Sequence, residues 1–143
     1  MDYQQKAIQW YDRGRSESDI FVKFVLFYIA LEAMTHVRGG NIRGLKSEVK
    51  LLGKIDSKTI STLQEYLEHD PHKNMNPEGD NRWNGTLKND SDLDGVMEFL
   101  IRARNNLFHG DKGPDIERDR IIVGYGNKII EPILGAIIVN GNN

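Results

Sequence analysis

Between Ile20 and Val37 the chain runs through 18 residues of which only Lys23, Glu32 and His36 can carry charge. A segment apolar nearly all round and this long reads as a helix enclosed by other elements. Ser16-Glu17-Ser18-Asp19 before it supplies capping side chains and Gly39-Gly40 after it a stop, so the segment is expected to be the central helix of the core. Phe21, Val25, Tyr28 and Glu32 share one stripe, which places a carboxylate in line with apolar neighbours.

Other segments repeat the helical period. Tyr3, Ala7, Trp10 and Tyr11 predict a short first helix broken by Gly14; Leu45, Val49 and Leu52 predict a third; Ile60, Leu63, Tyr66 and Leu67 predict a fourth after Asp56-Ser57. From His69 to Asp90 the chain turns polar, with Pro71, Pro77, Gly79 and Gly85, and reads as a long loop. Ser91-Asp92-Leu93-Asp94 fits a capping box before Val96, Met97, Leu100, Ile101, Leu107 and Phe108, with Gly110 as the stop. After Gly113-Pro114 a last helical stretch spans about Ile116 to Val139, interrupted at Gly124-Tyr125-Gly126 and kinked at Pro132, and the tail from Asn140 to Asn143 frays. The expected architecture is all-α, an up-and-down bundle of four main helices with short accessory helices and a long polar loop, in a single domain over 1–143.

Composition narrows the chemistry. Of the 143 residues 38% are hydrophobic and 28% charged, ordinary for a soluble domain able to bury a core. With no cysteine there is no thiolate nucleophile, disulfide framework or Cys-based zinc site. Met1-Asp2-Tyr3-Gln4-Gln5 lacks the features of a secretory signal, charge interrupts every apolar run, and a cytoplasmic protein with no membrane span is expected. The net charge of -2 argues against a general nucleic-acid binder, yet Arg38, Arg43, Lys46, Lys50, Lys54 and Lys58 face only Glu48 and Asp56, so basic charge is concentrated locally. Arg43, Lys46, Lys50 and Lys54 form either a solvated face or an RNA-backbone contact. Gly39-x4-Gly44-Leu45-Lys46-Ser47 fails as a phosphate-binding P-loop, because Leu45 separates glycine from lysine and a helix precedes it. His69-Asp70-Pro71-His72 has metal-ligand residue types, but no metal and no other cofactor is expected. Trp83 either pins its loop or stacks on a base.

The densest chemistry lies at Arg102-Ala103-Arg104-Asn105-Asn106-Leu107-Phe108-His109-Gly110, the end of an apolar-periodic segment. At about 100° per residue, Glu98, Arg102, Asn105 and His109 share one stripe while Ile101, Arg104 and Phe108 form the next. Arg104 is thus expected at the edge of the core face, where a permanent cation needs a carboxylate, an apolar support for its stem, or an anionic ligand. Glu32 is its expected counterpart, either as a buried ion pair that fixes register or as the group that orients the arginine; both readings place the two in contact. An arginine holds phosphate oxygens bidentately and a histidine moves protons near neutral pH. Together they suit cleavage of RNA by its own 2'-hydroxyl, which needs no metal.

Arg104-Asn105-x-x-x-His109 resembles the R-x4-6-H signature of the HEPN superfamily, in which a polar residue commonly follows the arginine. Arg102 satisfies the longer spacing but is followed by Ala103, so Arg104 is preferred. The resemblance extends along the chain as helical order and implies a metal-independent endoribonuclease, a toxin or defence effector, whose catalytic residues are Arg104, His109 and Asn105, supported by Glu32, Arg102 and Asn106. It also implies a homodimer in which two motifs face each other across one composite site, with RNA as substrate and an antitoxin or other protein as further partner. His109 is followed by Gly110-Asp111-Lys112-Gly113, without the tyrosine that accompanies HEPN domains paired with a nucleotidyltransferase. The alternatives are a non-catalytic HEPN-like module that binds RNA, nucleotide or protein, and a helical interaction protein that does not engage RNA.

Overall fold

The computed structural model describes residues 2–37, 42–47, 54–69, 85–107 and 116–141. Among them the fold is all-α: α1 (Tyr3–Ser16), α2 (Ile20–Val37), α3 (Ser57–Glu68), α4 (Leu93–Leu107) and α5 (Ile116–Gly141), with a 3-10 turn at Ile42–Ser47 and no strand. The expected third helix is described only at its start, as this turn; 48–53 lie outside the described residues, as does most of the expected loop, 70–84, with Asp70, His72 and Trp83.

The starts of α1 to α4 are each built by an aspartate. Asp2 Oδ1 accepts the Gln5 amide at 2.8 Å while Gln5 Oε1 accepts the Asp2 amide at 3.2 Å, a reciprocal capping box absent from the sequence reading. Asp19 Oδ1 accepts from Phe21 and Val22, and Asp56 Oδ1 from Lys58. For α4 the cap is Asp92 rather than Ser91. Its Oδ1 accepts the Gly95 amide at 3.0 Å and its Oδ2 the Lys88 amide at 3.0 Å, so one carboxylate closes both the helix and the turn that feeds it.

The central helix is α5, not α2. It packs against α1, α2, α3 and α4, and Ile122, Val123, Ile129, Ile130, Ile133, Leu134 and Ile137 from it are buried. It runs unbroken through Gly124-Tyr125-Gly126 and Pro132, where interruptions were expected. The reason is tertiary. A Cβ at Gly126 would lie 2.5 Å from Phe24 Cε2, and one at Gly14 2.6 Å from the Phe27 ring, so these glycines admit α2 aromatics against α5 and α1 instead of breaking their helices. Asn127 adds a polar tie, its Nδ2 donating to the Ile20 carbonyl at 3.0 Å.

By length and composition alone, Ile20–Val37 and Glu117–Ile138 could each cross a membrane. Here they pack on each other, and the α2 residues Phe24, Phe27, Ala30, Leu31 and Met34 are buried in the core they share. The opposite face of α2 is not enclosed: Val22, Ile29, Glu32, His36 and Val37 are exposed. Its apolar residues therefore exceed what this fold covers.

Candidate functional site

The face that α4 buries comprises Gly95, Val96, Met97, Phe99, Leu100, Arg102 and Ala103. Gly95 permits the helix to enter closely, since a Cβ there would lie 2.5 Å from Asp92 Oδ2 and 2.8 Å from Leu87 Cδ2. This anchors the start of the helix whose far end carries Arg104 and Asn105.

Arg102 and Arg104, two positions apart, diverge by about 200° around the helix and flank the core face on opposite sides. Arg102 lies deeper than Arg104. Arg102 is 3% exposed, because it extends the buried row Gly95–Phe99, whereas Arg104 is half-buried. Arg118 on α5 is a second buried arginine that sequence reasoning passed over. Arg102 and Arg118 each have interaction partners, as do Glu98 and Asp119. Both arginine heads sit where an uncompensated cation would be costly, which makes such partners a requirement of the fold.

Arg104 is held on two sides. Its Nη1 donates to Asn105 Oδ1 at 3.2 Å, and its Cζ lies 5.8 Å from the ring centroid of Tyr28 on α2. Tyr28 is itself buried, with its ring 5.9 Å from that of Phe24, so the platform beneath the guanidinium is fixed by the core. A cation over such a ring gains about 0.5–2 kcal/mol depending on desolvation. Tyr28 was legible only as one apolar step in the stripe leading to Glu32. The signal that it, rather than Glu32, meets the arginine is absent from periodicity.

Glu32 lies one turn beyond Tyr28 and is exposed; among the described residues no ion pair joins it to Arg104. The expected buried Glu32–Arg104 pair is therefore corrected to a cation–ring contact one turn earlier. Water solvates the Glu32 carboxylate more cheaply than a buried pair could. Asn105 is exposed and Asn106 half-buried, while His109 lies outside the described residues.

Of the basic segment, Arg43 and Lys46 belong to the 3-10 turn, which packs against both α4 and α2, and Lys54 is exposed. Lys50 lies outside the described residues. The turn thus brings the start of the basic segment beside the two helices that hold Arg104. Among the described residues no group of three His, Asp or Glu side chains could hold a metal ion, and His69 Nδ1 lies 2.9 Å from the Glu65 carbonyl within its own helix end.

Comparison with known protein families, with curated proteins and with solved structures finds no match for this chain.

Proposed function

We propose that this chain is a HEPN-like domain whose main helices form an up-and-down bundle and which cleaves RNA without a metal, two protomers sharing one site. The observation that carries the reading is the seating of Arg104. A half-buried arginine fixed by Tyr28 and Asn105 at the end of α4 is a positioned, permanently charged donor set five residues before His109 in the sequence.

In the proposed reaction a histidine removes the proton of the 2'-hydroxyl. The oxygen attacks the adjacent phosphorus, the P–O5' bond breaks, and a 2',3'-cyclic phosphate forms as the leaving 5'-oxygen takes a proton. Base and acid are separate roles in one step, so His109 of each protomer fills one of them. Arg104 holds the phosphate oxygens as charge gathers on them, with Asn105 aligning its fork. Proton transfer contributes about 10²–10⁴ to such a rate and a charged clamp about 10²–10³. The basic segment that starts at the 3-10 turn contacts the flanking RNA backbone, and the biological setting that fits such an activity is a toxin or defence effector in the cytoplasm.

One observation favours a second reading. Arg104 already has intramolecular partners, as a structural residue of a non-catalytic RNA- or protein-binding module would. Incubation of the purified protein with total and transfer RNA in EDTA separates the two. Products with 2',3'-cyclic ends, lost in His109→Ala, support the ribonuclease; retention of RNA without cleavage supports the module; neither result leaves a helical interaction protein.

A further inference from the structure

The exposed face of α2 carries a pattern of its own. Val22, Leu26, Ile29, Ala33 and His36 follow one another at spacings of four, three, four and three residues, the a/d repeat of a helix that pairs with another helix. Leu26 and Ala33 are half-buried, while Val22, Ile29 and Val37 are 44%, 37% and 44% exposed. Tyr3, 47% exposed, extends the strip where it stacks on His36 with ring centroids 4.5 Å apart. Among the described residues Ile121 is the one exposed large hydrophobic outside this strip. From Val22 to Val37 the seam is about 22 Å long.

We infer that this seam pairs with the same seam of a second copy, antiparallel, about a two-fold axis passing beside Ile29. The pattern is self-complementary about that residue: the reversed helix sets Val22 against His36 and the adjoining Val37, Leu26 against Ala33, and Ile29 against its own copy. Charge favours the antiparallel sense. It opposes the two helix dipoles, whereas parallel pairing would align them and set Asp19 against Asp19. Tyr28, next to Ile29, carries Arg104 on one flank of the seam. In an antiparallel pair the same flanks of the two helices face each other, so the two Arg104 side chains come to one side of the pair, close to the axis. That last step rests on the ribonuclease reading, for which it supplies the second motif; the seam itself does not.

Absence of cysteine makes the arrangement directly testable. Facing helices at about 8–10 Å bring opposed Cα atoms within disulfide reach. Ile29→Cys should form a covalent dimer on mild oxidation. Val22→Cys alone should not, but a mixture of Val22→Cys and Val37→Cys should cross-link to each other. Light scattering should show a concentration-dependent dimer that Ile29→Glu converts to a monomer melting as the parent does at concentrations where the parent is itself monomeric. Self-cross-linking of Val22→Cys, a monomer at every concentration, or a monomer that floats with phosphatidylcholine vesicles overturns the inference. A cross-linked dimer that does not cut RNA supports the seam and removes the ribonuclease reading. RNA cleavage by the Ile29→Glu monomer at the parent's rate leaves the seam and the cleavage standing and removes the site shared by two protomers.

Discussion

The guanidinium of Arg104 rests on Tyr28, its Cζ 5.8 Å from the ring centroid, so the cation on α4 is positioned by an aromatic on α2 and not by a carboxylate. Tyr28→Phe keeps the ring and should leave RNA cleavage within about twofold of the parent. Tyr28→Leu removes it, and the loss of about 1 kcal/mol of cation–ring attraction should slow cleavage by about five- to tenfold. Equal rates for the parent and Tyr28→Leu, in proteins that melt alike, would show that the ring does not position the arginine.

The α4 cap gives a prediction about stability. Asp92→Ala leaves the Gly95 and Lys88 amides without their acceptor and should cost about 0.5–2 kcal/mol in urea unfolding. Ser91→Ala should cost little, because the Ser91 side chain does not accept from the first turn. The reverse ranking would mean that the helix begins one residue earlier.

Three glycines within helices should respond in opposite directions. Gly14→Ala and Gly126→Ala force a methyl into the Phe27 and Phe24 rings, and overpacking of this kind costs about 1–3 kcal/mol. At Gly124 a Cβ meets nothing within 4 Å, so Gly124→Ala should stabilise α5 by about 0.5–1 kcal/mol. Thermal melts of the three variants decide the matter; destabilisation by Gly124→Ala would mean that the helix packs differently there.

These glycines also show where sequence reading stops. Periodicity located the α-helices; the start of α2 was read within Ser16–Asp19 and that of α3 after Asp56-Ser57, and the structure makes Asp19 and Asp56 the caps. Local propensity alone treats Gly14 and Gly124-Tyr125-Gly126 as breaks, yet the packing of Phe27 and Phe24 makes glycine at 14 and 126 a requirement of close helix approach. The stripe Tyr28–Glu32 was visible, but which of its members meets a neighbouring helix depends on where that helix sits. Hence Arg104 was correctly placed at the margin of the core and wrongly paired. Arg102 was read only as a member of the stripe with Glu98, Asn105 and His109, and its burial was not legible because the face that α4 buries is wider than one stripe.

Alkaline pH probes two tyrosines. Burial raises the Tyr11 hydroxyl above its ordinary 10.0, with Glu131 and Asp12 adding to the rise and Arg15 opposing it. Tyr125 is raised in the same way, by burial and then by Glu65. In both cases the folded state holds its proton longer than the unfolded state. The associated stability is therefore complete below pH 10.0 and is lost as pH rises through the folded values. Spectroscopic titration should show tyrosinate forming in two ranges, with the later one reduced in Tyr11→Phe and Tyr125→Phe. A single transition at the ordinary value would contradict the burial of these hydroxyls.

In the proposed function the Arg104-Asn105…His109 motif cuts RNA. Its most direct test is the single-turnover cleavage rate of RNA in EDTA, measured side by side for the parent and for His109→Ala, each checked for an unchanged melting curve. The parent should cleave, and His109→Ala should do so at a rate at least about 100-fold lower. No cleavage by the parent, or an equal rate from the variant, would contradict the proposed function.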